Sequence, residues 1–418
     1  MVEVPPSGLC GMRSEYTPTP ILIGATRLVA TAILTSILIH RTEDLQVLKI
    51  CIKYSSGDAR EQRAFELIGG CATTTTHPGL GCLQRPSRQS TIVSPRSGRH
   101  QCFLLAPSAC HVEEAWSVLG DLPLALAKEI LENTLKALDF LHVECKLIHT
   151  DLKLDNILFG FADDNVLAGY VEELAKHPER CKVHRGHDGD EYPVTKAKPF
   201  ILTKDSFAFP QLNDLGESVE IPLTNMGYAG PKMCSPKAFR TPETTLGLPF
   251  NEKIDVWMMG CLTLQMLTGK IPILPHGPNQ PWTDAFTLAQ HHALLGPPPP
   301  AFLAQSAKLR YYWAEDGTWI HPEHDVPKIE LEDMLEVVED KKTREDALDF
   351  VRSCLRWLPK DRLSAADLLK HRFLAGEPQA TLWRRLEEWE KRPQPQPTSA
   401  PTFTTSKLPQ EDELPQED

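Results

Sequence analysis

Residues 254–268, IDVWMMGCLTLQMLT, are apolar on nearly every face of a helix. A surface helix shows one apolar stripe, whereas a helix apolar all round has to be wrapped on every side. Gly269 follows directly and is placed to end it, because glycine takes up the left-handed C-cap conformation freely. Asp255 sits at the start of this run, and a carboxylate in such surroundings needs hydrogen-bond partners from elsewhere in the chain. The run therefore demands a large helical unit with a continuous core. The composition can supply one: of 418 residues, 41% are hydrophobic and 24% charged. These values lie near the globular average and exclude wholesale disorder. Length alone allows two or three domains, or one large bilobal unit.

Ahead of this helical part the chain reads differently. Residues 1–20 are loose and rich in proline. Residues 21–39 are almost all apolar or Thr/Ser and dense in β-branched residues. Arg27 inside the run and the soluble-looking chain after it favour one or two buried strands over a membrane segment. Val47–Ile52 is a strand-like run with Lys49 in its middle, residues 59–68 are helical in pattern, and Gln101–Ala106 is a third short apolar run. The polar stretch 72–99 between them reads as loop. Together these make a small β-rich unit. Beyond it, leucines recur at helical spacing over 124–143, residues 160–206 read as an irregular insertion with some helix around Val171–Ala175, and 345–357 and 364–374 read as further helices. Ser364 with Asp367 three residues on suits an N-cap. An amphipathic helix over 380–391 precedes a tail, 392–418, whose Pro, Gln, Thr and acidic residues mark it as disordered.

Charge and cysteines narrow the function. Lys and Arg total 44 against 56 Asp and Glu, a formal net charge of -12. Such a chain is poorly suited to bulk nucleic acid and better suited to basic partners. Glu411, Asp412, Glu413, Glu417 and Asp418 put part of that charge in the tail. The 11 cysteines are odd in number, scattered and without a C-x-x-C pair. They read as reduced thiols of a cytoplasmic or nuclear protein. The histidines, including His184 and His187, lack partners at metal-ligand spacing.

The sharpest chemical signal is His149-Thr150-Asp151-Leu152-Lys153-Leu154-Asp155-Asn156. It follows the 124–143 helix and precedes an apolar pair. Phosphoryl transfer needs a carboxylate to orient and deprotonate a hydroxyl, a cation beside the moving phosphoryl, and a neutral oxygen ligand for a metal. Asp151, Lys153 and Asn156 supply these, and His149 buttresses the loop. Asp214-Leu215-Gly216 is the candidate for a second metal ligand. Pro242-Glu243 awaits a buried arginine, for which Arg362 is the natural partner. Lys49 in its strand suits contact with phosphates and needs a carboxylate from the next helix. Glu61 is preferred because Phe65 and Ile68 then share its face, with Glu66 as the alternative.

These motifs resemble those of eukaryotic-type protein kinases, in particular SR-protein kinases and the divergent fungal kinases related to them. The likeness rests on H-x-D-x-K-x-x-N with Thr150 in the usual arginine position, on the long insertion before Asp214, and on Gly98-Arg99-His100-Gln101-Cys102. Leu294–Pro299 and Glu315–Trp319 add to it. It covers about 45–375. The resemblance implies an α+β, bilobal protein-kinase-like fold, with a small β-rich lobe at 21–107 and a mainly helical lobe at 108–375. It implies ATP and Mg2+ as cofactors, with Lys49, Glu61, Asn156 and Asp214 binding them and Asn156 and Asp214 on the metal. It also implies transfer to protein Ser/Thr hydroxyls, with Arg/Ser-rich substrates. Thr150 implies a kinase not switched by an activation-loop phosphate. One feature departs from the family: between residues 13 and 56 the only glycine is Gly24, so the glycine-rich phosphate loop is missing. A pseudokinase-like scaffold is the rival reading, and an aminoglycoside/choline-type phosphotransferase a second.

Overall fold

The computed structural model describes residues 26–29, 32–35, 46–51, 56–94, 98–119, 122–161, 164–176, 181–185, 191–195, 207–221, 235–274, 283–324 and 326–375. The N-terminal extension, the 380–391 helix and the acidic tail expected from the sequence lie outside them.

The first part of the chain forms a five-stranded antiparallel sheet, in the order β1-β2-β3-β5-β4. Its strands are β1 (Thr26–Val29), β2 (Ala32–Thr35), β3 (Val47–Cys51), β4 (Pro86–Ser94) and β5 (Gly98–Leu105). Directly paired residues share a sheet face, and Lys49 lies opposite both Leu34 and Phe103. Helix α1 (Ser56–Ala72) buries Glu61, Ala64, Phe65 and Ile68, a three-to-four-residue period that makes one stripe. Phe65 meets the fully buried Phe103 edge-on, with ring centroids 5.1 Å apart. That contact sets α1 on the face of the sheet that carries Lys49.

The 72–99 stretch is not the loop its polarity suggests. It holds a 3-10 turn, Pro78–Cys82, and the nine-residue β4, which pairs with β5 along most of its length. Sheet pairing runs through the main chain, so a polar segment can be recruited by a neighbouring strand that offers the register. The turn docks on the next part of the molecule. A Cβ on Gly79 would overlap the Lys136 carbonyl oxygen and come within 2.8 Å of Phe140 Cβ. His77 Nδ1 accepts from Gly79 N at 3.1 Å, and its Nε2 lies 3.1 Å from Asp139 Oδ2.

The remainder is mainly helical: α2 (Val112–Leu119), α3 (Leu124–Phe140), α4 (Asp164–Lys176), α5 (Pro242–Thr245), α6 (Lys253–Thr268), α7 (Asp284–Leu295), α8 (Pro300–Leu303), α9 (Leu331–Met334), α10 (Lys341–Cys354) and α11 (Ala365–Leu368). A three-stranded sheet in the order β11-β8-β6 joins β6 (Ser108–His111), β8 (Ile157–Phe161) and β11 (Phe207–Leu212). Short β7 (Leu147–Ile148) pairs with β12 (Val219–Glu220). Within the insertion, α4 is longer than its sequence suggests, and a hairpin of β9 (Cys181–Arg185) and β10 (Glu191–Thr195) follows it.

Helix α6 is the axis of this core: every residue from Ile254 to Leu264 is buried. Gly269 ends it at φ +70°. Gly260 lets α10 approach, since a Cβ there would sit 2.7 Å from Cys354 Cβ. Helix α10 starts earlier than the apolar pattern indicates, because Asp340 caps it by accepting from Thr343 N at 2.7 Å. Ser364 does accept from Asp367 N at 3.1 Å, but α11 is only four residues long and turns follow it. No helix among the described residues is long and apolar enough to cross a membrane.

Glu243 and Arg362 meet in a bidentate pair, Nη1–Oε1 2.6 Å and Nη2–Oε2 2.8 Å, with both residues buried. The guanidinium also donates to the carbonyls of Lys253 and Arg356 and lies 5.1 Å over the Trp257 ring. Removing one member strands a buried charge. Glu243→Ala should therefore cost about 3–5 kcal/mol in equilibrium urea unfolding; a loss under ~1 kcal/mol would refute this account. Glu129 on α3 provides a pH handle. Burial pushes its carboxyl up to about 7, Glu132 adds to the effect and Lys136 opposes it. The folded value lies above the ordinary 4.5, so stability should fall as pH rises through that interval. Glu129→Gln should stabilise the protein by about 1–2 kcal/mol at pH 8 and by much less near pH 4.5, read from melting curves at both.

Candidate active site

The segment leaving α3 is shaped by a buried carboxylate. After α3 the chain makes one π-helical turn, Leu141–Cys145, and reverses at Lys146 with φ +54°. It then runs through β7 into His149. Asp255, fully buried on α6, accepts from His149 N and Thr150 N, both at 2.8 Å, and lies 2.8 Å from His142 Nε2. Thr150 sits at φ +69°, a region that costs a β-branched residue roughly 1–2 kcal/mol. The two amide bonds to Asp255, and the Thr150 hydroxyl donating to Glu217 O at 2.7 Å, offset that cost. His149 Nδ1 accepts from Asp151 N at 3.3 Å, and its Nε2 faces Asn213 O at 3.0 Å. Both ring nitrogens are engaged, so the ring braces the loop.

Asp151, Lys153 and Asn156 come together on this frame. Lys153 Nζ lies 2.6 Å from Asp151 Oδ2. Asn156 Nδ2 donates to the same oxygen at 2.9 Å and to Asp151 O at 2.8 Å. The amide of Asn156 is thereby oriented, with its nitrogen spent on Asp151 and its oxygen left as an acceptor. Leu152 and Leu154 are buried on the other side of the loop, which is why the polar residues alternate with them.

A second group assembles around Lys49. Its Nζ lies 2.7 Å from Glu61 Oε1 and 3.5 Å from Asp214 Oδ1. Glu61, not Glu66, makes this contact; Glu66 accepts from Gln62 on the exposed side of α1. Asp214 adopts φ +63° and accepts from Gly216 N at 3.4 Å. Burial pushes its carboxyl up, but Lys49, His149, Lys153 and the Gly216 amide outweigh that and hold it below the usual carboxylate range. A carboxylate kept ionised and an oriented amide oxygen are the hard oxygen donors that suit a divalent cation. Asp214 and Asn156 are connected through the backbone, Asn213 N donating to Asn156 O at 2.8 Å.

Several contributors were not legible in the sequence. Arg60 donates to Gly216 O at 2.9 Å and to Glu217 at 2.8 Å, and Arg63 to Glu220 at 2.9 Å. Spaced three apart on a helix, these arginines read as solvated surface charge; here they clamp α1 to the segment after Asp214. Asn213 acts through its carbonyl, which no side-chain pattern reveals. Beside the loop, His111, Glu113 and Asp155 bring oxygen and nitrogen atoms within 4.8 Å of one another. Where a glycine-rich loop would lie, the β1–β2 hairpin pairs Val29 with Ala32, so two residues, Ala30 and Thr31, separate the strands in sequence.

A family model described as the protein kinase domain matches residues 198–374. A serine/threonine protein kinase of Aspergillus fumigatus is 31% identical over 334 residues, 79% of this chain and 78% of the relative. The serine/threonine-protein kinase SRPK of Physarum polycephalum is 27% identical over 303 residues, 67% of this chain and 68% of that one. Human dual specificity tyrosine-phosphorylation-regulated kinase 4 is 31% identical over 137 residues, 32% of this chain and 25% of that one. Identity above 30% across most of both chains, on an α+β fold with a sheet-containing lobe and a helical one, shows that the chain belongs to the protein kinase family.

Proposed function

We propose that this protein kinase transfers the γ-phosphoryl group of ATP to serine or threonine hydroxyls of protein substrates, with Asp151 as the residue that orients the hydroxyl and takes its proton. The observation that carries the reading is the fixed Asp151 carboxylate. One oxygen is held by Lys153 and Asn156, and Oδ1 makes no hydrogen bond among the described residues. Lys153 balances charge on the transferring group, and His149 keeps the loop in place. Lys49, oriented by Glu61, contacts the α- and β-phosphates. Asn156 and Asp214 would hold Mg2+, which supplies charge neutralisation at the phosphates.

Arg/Ser-rich substrates belong to the same proposal. The Physarum relative named SRPK supports it, as does the anionic corner of Glu113, Glu114 and Asp155 beside the loop. Carboxylates near the acceptor site raise the local concentration of basic peptides and fix their register. Cys71, Cys82, Cys102, Cys110, Cys145, Cys261 and Cys354 are free, in keeping with a cytoplasmic or nuclear setting. A pseudokinase-like scaffold remains the second reading because of the missing glycine-rich loop.

Asp151→Asn should lower kcat on an Arg/Ser-repeat peptide by about 10²–10⁴-fold, while a thermal shift with ATP and Mg2+ persists. Asp214→Ala should lose the metal-dependent part of that shift. Equal labelling by wild type and Asp151→Asn would overturn the mechanism, and no shift in wild type at millimolar nucleotide would favour the scaffold. Labelling that falls steeply with salt for the basic peptide, but not for a neutral serine peptide, would support the substrate class; equal rates on both would refute it.

A further inference from the structure

Two thiols meet where the small lobe touches the large one. Cys71 is the penultimate residue of α1, and Cys145 ends the π-helical turn that leads into the catalytic loop. Cys71 Sγ lies 3.4 Å from the carbonyl of Glu144, the residue before Cys145. The two cysteines are thus neighbours across the boundary between α1 and the turn, and both are free. Their environments differ: Cys145 is buried at 4% exposure, whereas Cys71 is partly exposed. We propose that Cys71 and Cys145 are a redox modification site, forming a disulfide under peroxide that ties α1 covalently to the large lobe.

The chemistry balances with hydrogen peroxide as the oxidant. The accessible Cys71 thiolate attacks one peroxide oxygen, breaking the O–O bond; hydroxide leaves and is protonated to water, and Cys71 becomes a sulfenic acid. The Cys145 sulfur then attacks the Cys71 sulfur, breaking the S–O bond. The departing hydroxide takes the Cys145 proton and leaves as a second water. Two thiols are oxidised, one peroxide is reduced, and a thiol reductant reverses the bond by exchange. Burial pushes the Cys145 thiol up, and Cys71 and Glu144 add to this, so Cys71 is the first to react and Cys145 the resolving partner. Cys82, Cys102, Cys110, Cys261 and Cys354 are buried, Cys82 against Asn133 on α3 and Cys261 and Cys354 fully enclosed on α6 and α10.

The position gives the bond a consequence. Cys71 lies ten residues, about 15 Å, along α1 from Glu61, and Cys145 lies six residues before Asp151. Salt bridges at Arg60 and Arg63 hold the middle of α1, and those to exposed carboxylates are weak and salt-sensitive. A disulfide at the far end would fasten the helix in the placement that keeps Glu61 on Lys49.

Purified protein, reduced and then treated with a small excess of hydrogen peroxide, is alkylated and digested without reduction. The expected product is a cross-linked peptide pair joining Cys71 to Cys145, two hydrogens lighter than the sum. The melting temperature should rise by about 5 °C and return after dithiothreitol. Cys71→Ser, at the less buried position, should fold normally and lose both effects; Cys145→Ser should lose the cross-link. Peroxide that yields only singly oxidised Cys71, or a melting shift that survives in Cys71→Ser, would overturn the proposal. None of these readouts depends on phosphoryl transfer.

Discussion

The carboxylate of Asp255 organises the rest of the site. It sits near the start of a mainly apolar helix, and it is fully buried, so its polar atoms have to be met by donors that reach into the core. Those donors are the main-chain amides of His149 and Thr150 and the ring of His142. The helix that forms the core is thereby also the part that fixes the backbone path at His149 and Thr150. Thr150 can hold a left-handed conformation only because both ends of its peptide unit are tied down. From that fixed point Asp151 and Asn156 follow.

The two halves of the site are joined by contacts that carry no motif. Asn213 O receives His149 on one side, and the neighbouring Asp214 faces Lys49 on the other. Arg60 grips Gly216 and Glu217, the same residue whose carbonyl accepts the Thr150 hydroxyl. Segment 213–220 thus lies between α1 and the catalytic loop and touches both. The Thr150 hydroxyl reaches this segment directly.

Some of this was legible at the level of single residues. The residue types at 149, 151, 153 and 156 marked the loop. The helical spacing of Glu61, Phe65 and Ile68 singled out Glu61 over Glu66. The apolar run after Asp255 announced a wrapped helix, and Glu243 with Arg362 read as a buried pair. Other parts were not legible. β4 is polar and gains its strand character from β5. α10 extends back to an aspartate cap that the apolar pattern does not include. Arg60 and Arg63 look like surface charge until segment 213–220 is laid against them.

The sequence by itself determined which chemical groups the chain brings to its site, because carboxylate, ammonium and amide at fixed spacing depend only on the order of residues. It also determined that a helical core would enclose Asp255, since apolar burial follows from composition along a helix. Tertiary structure alone decided how distant pieces meet: Lys49 with Asp214, and Cys71 with the turn that ends at Cys145. Such meetings depend on packing across more than a hundred residues of chain, where no local period or propensity carries a signal.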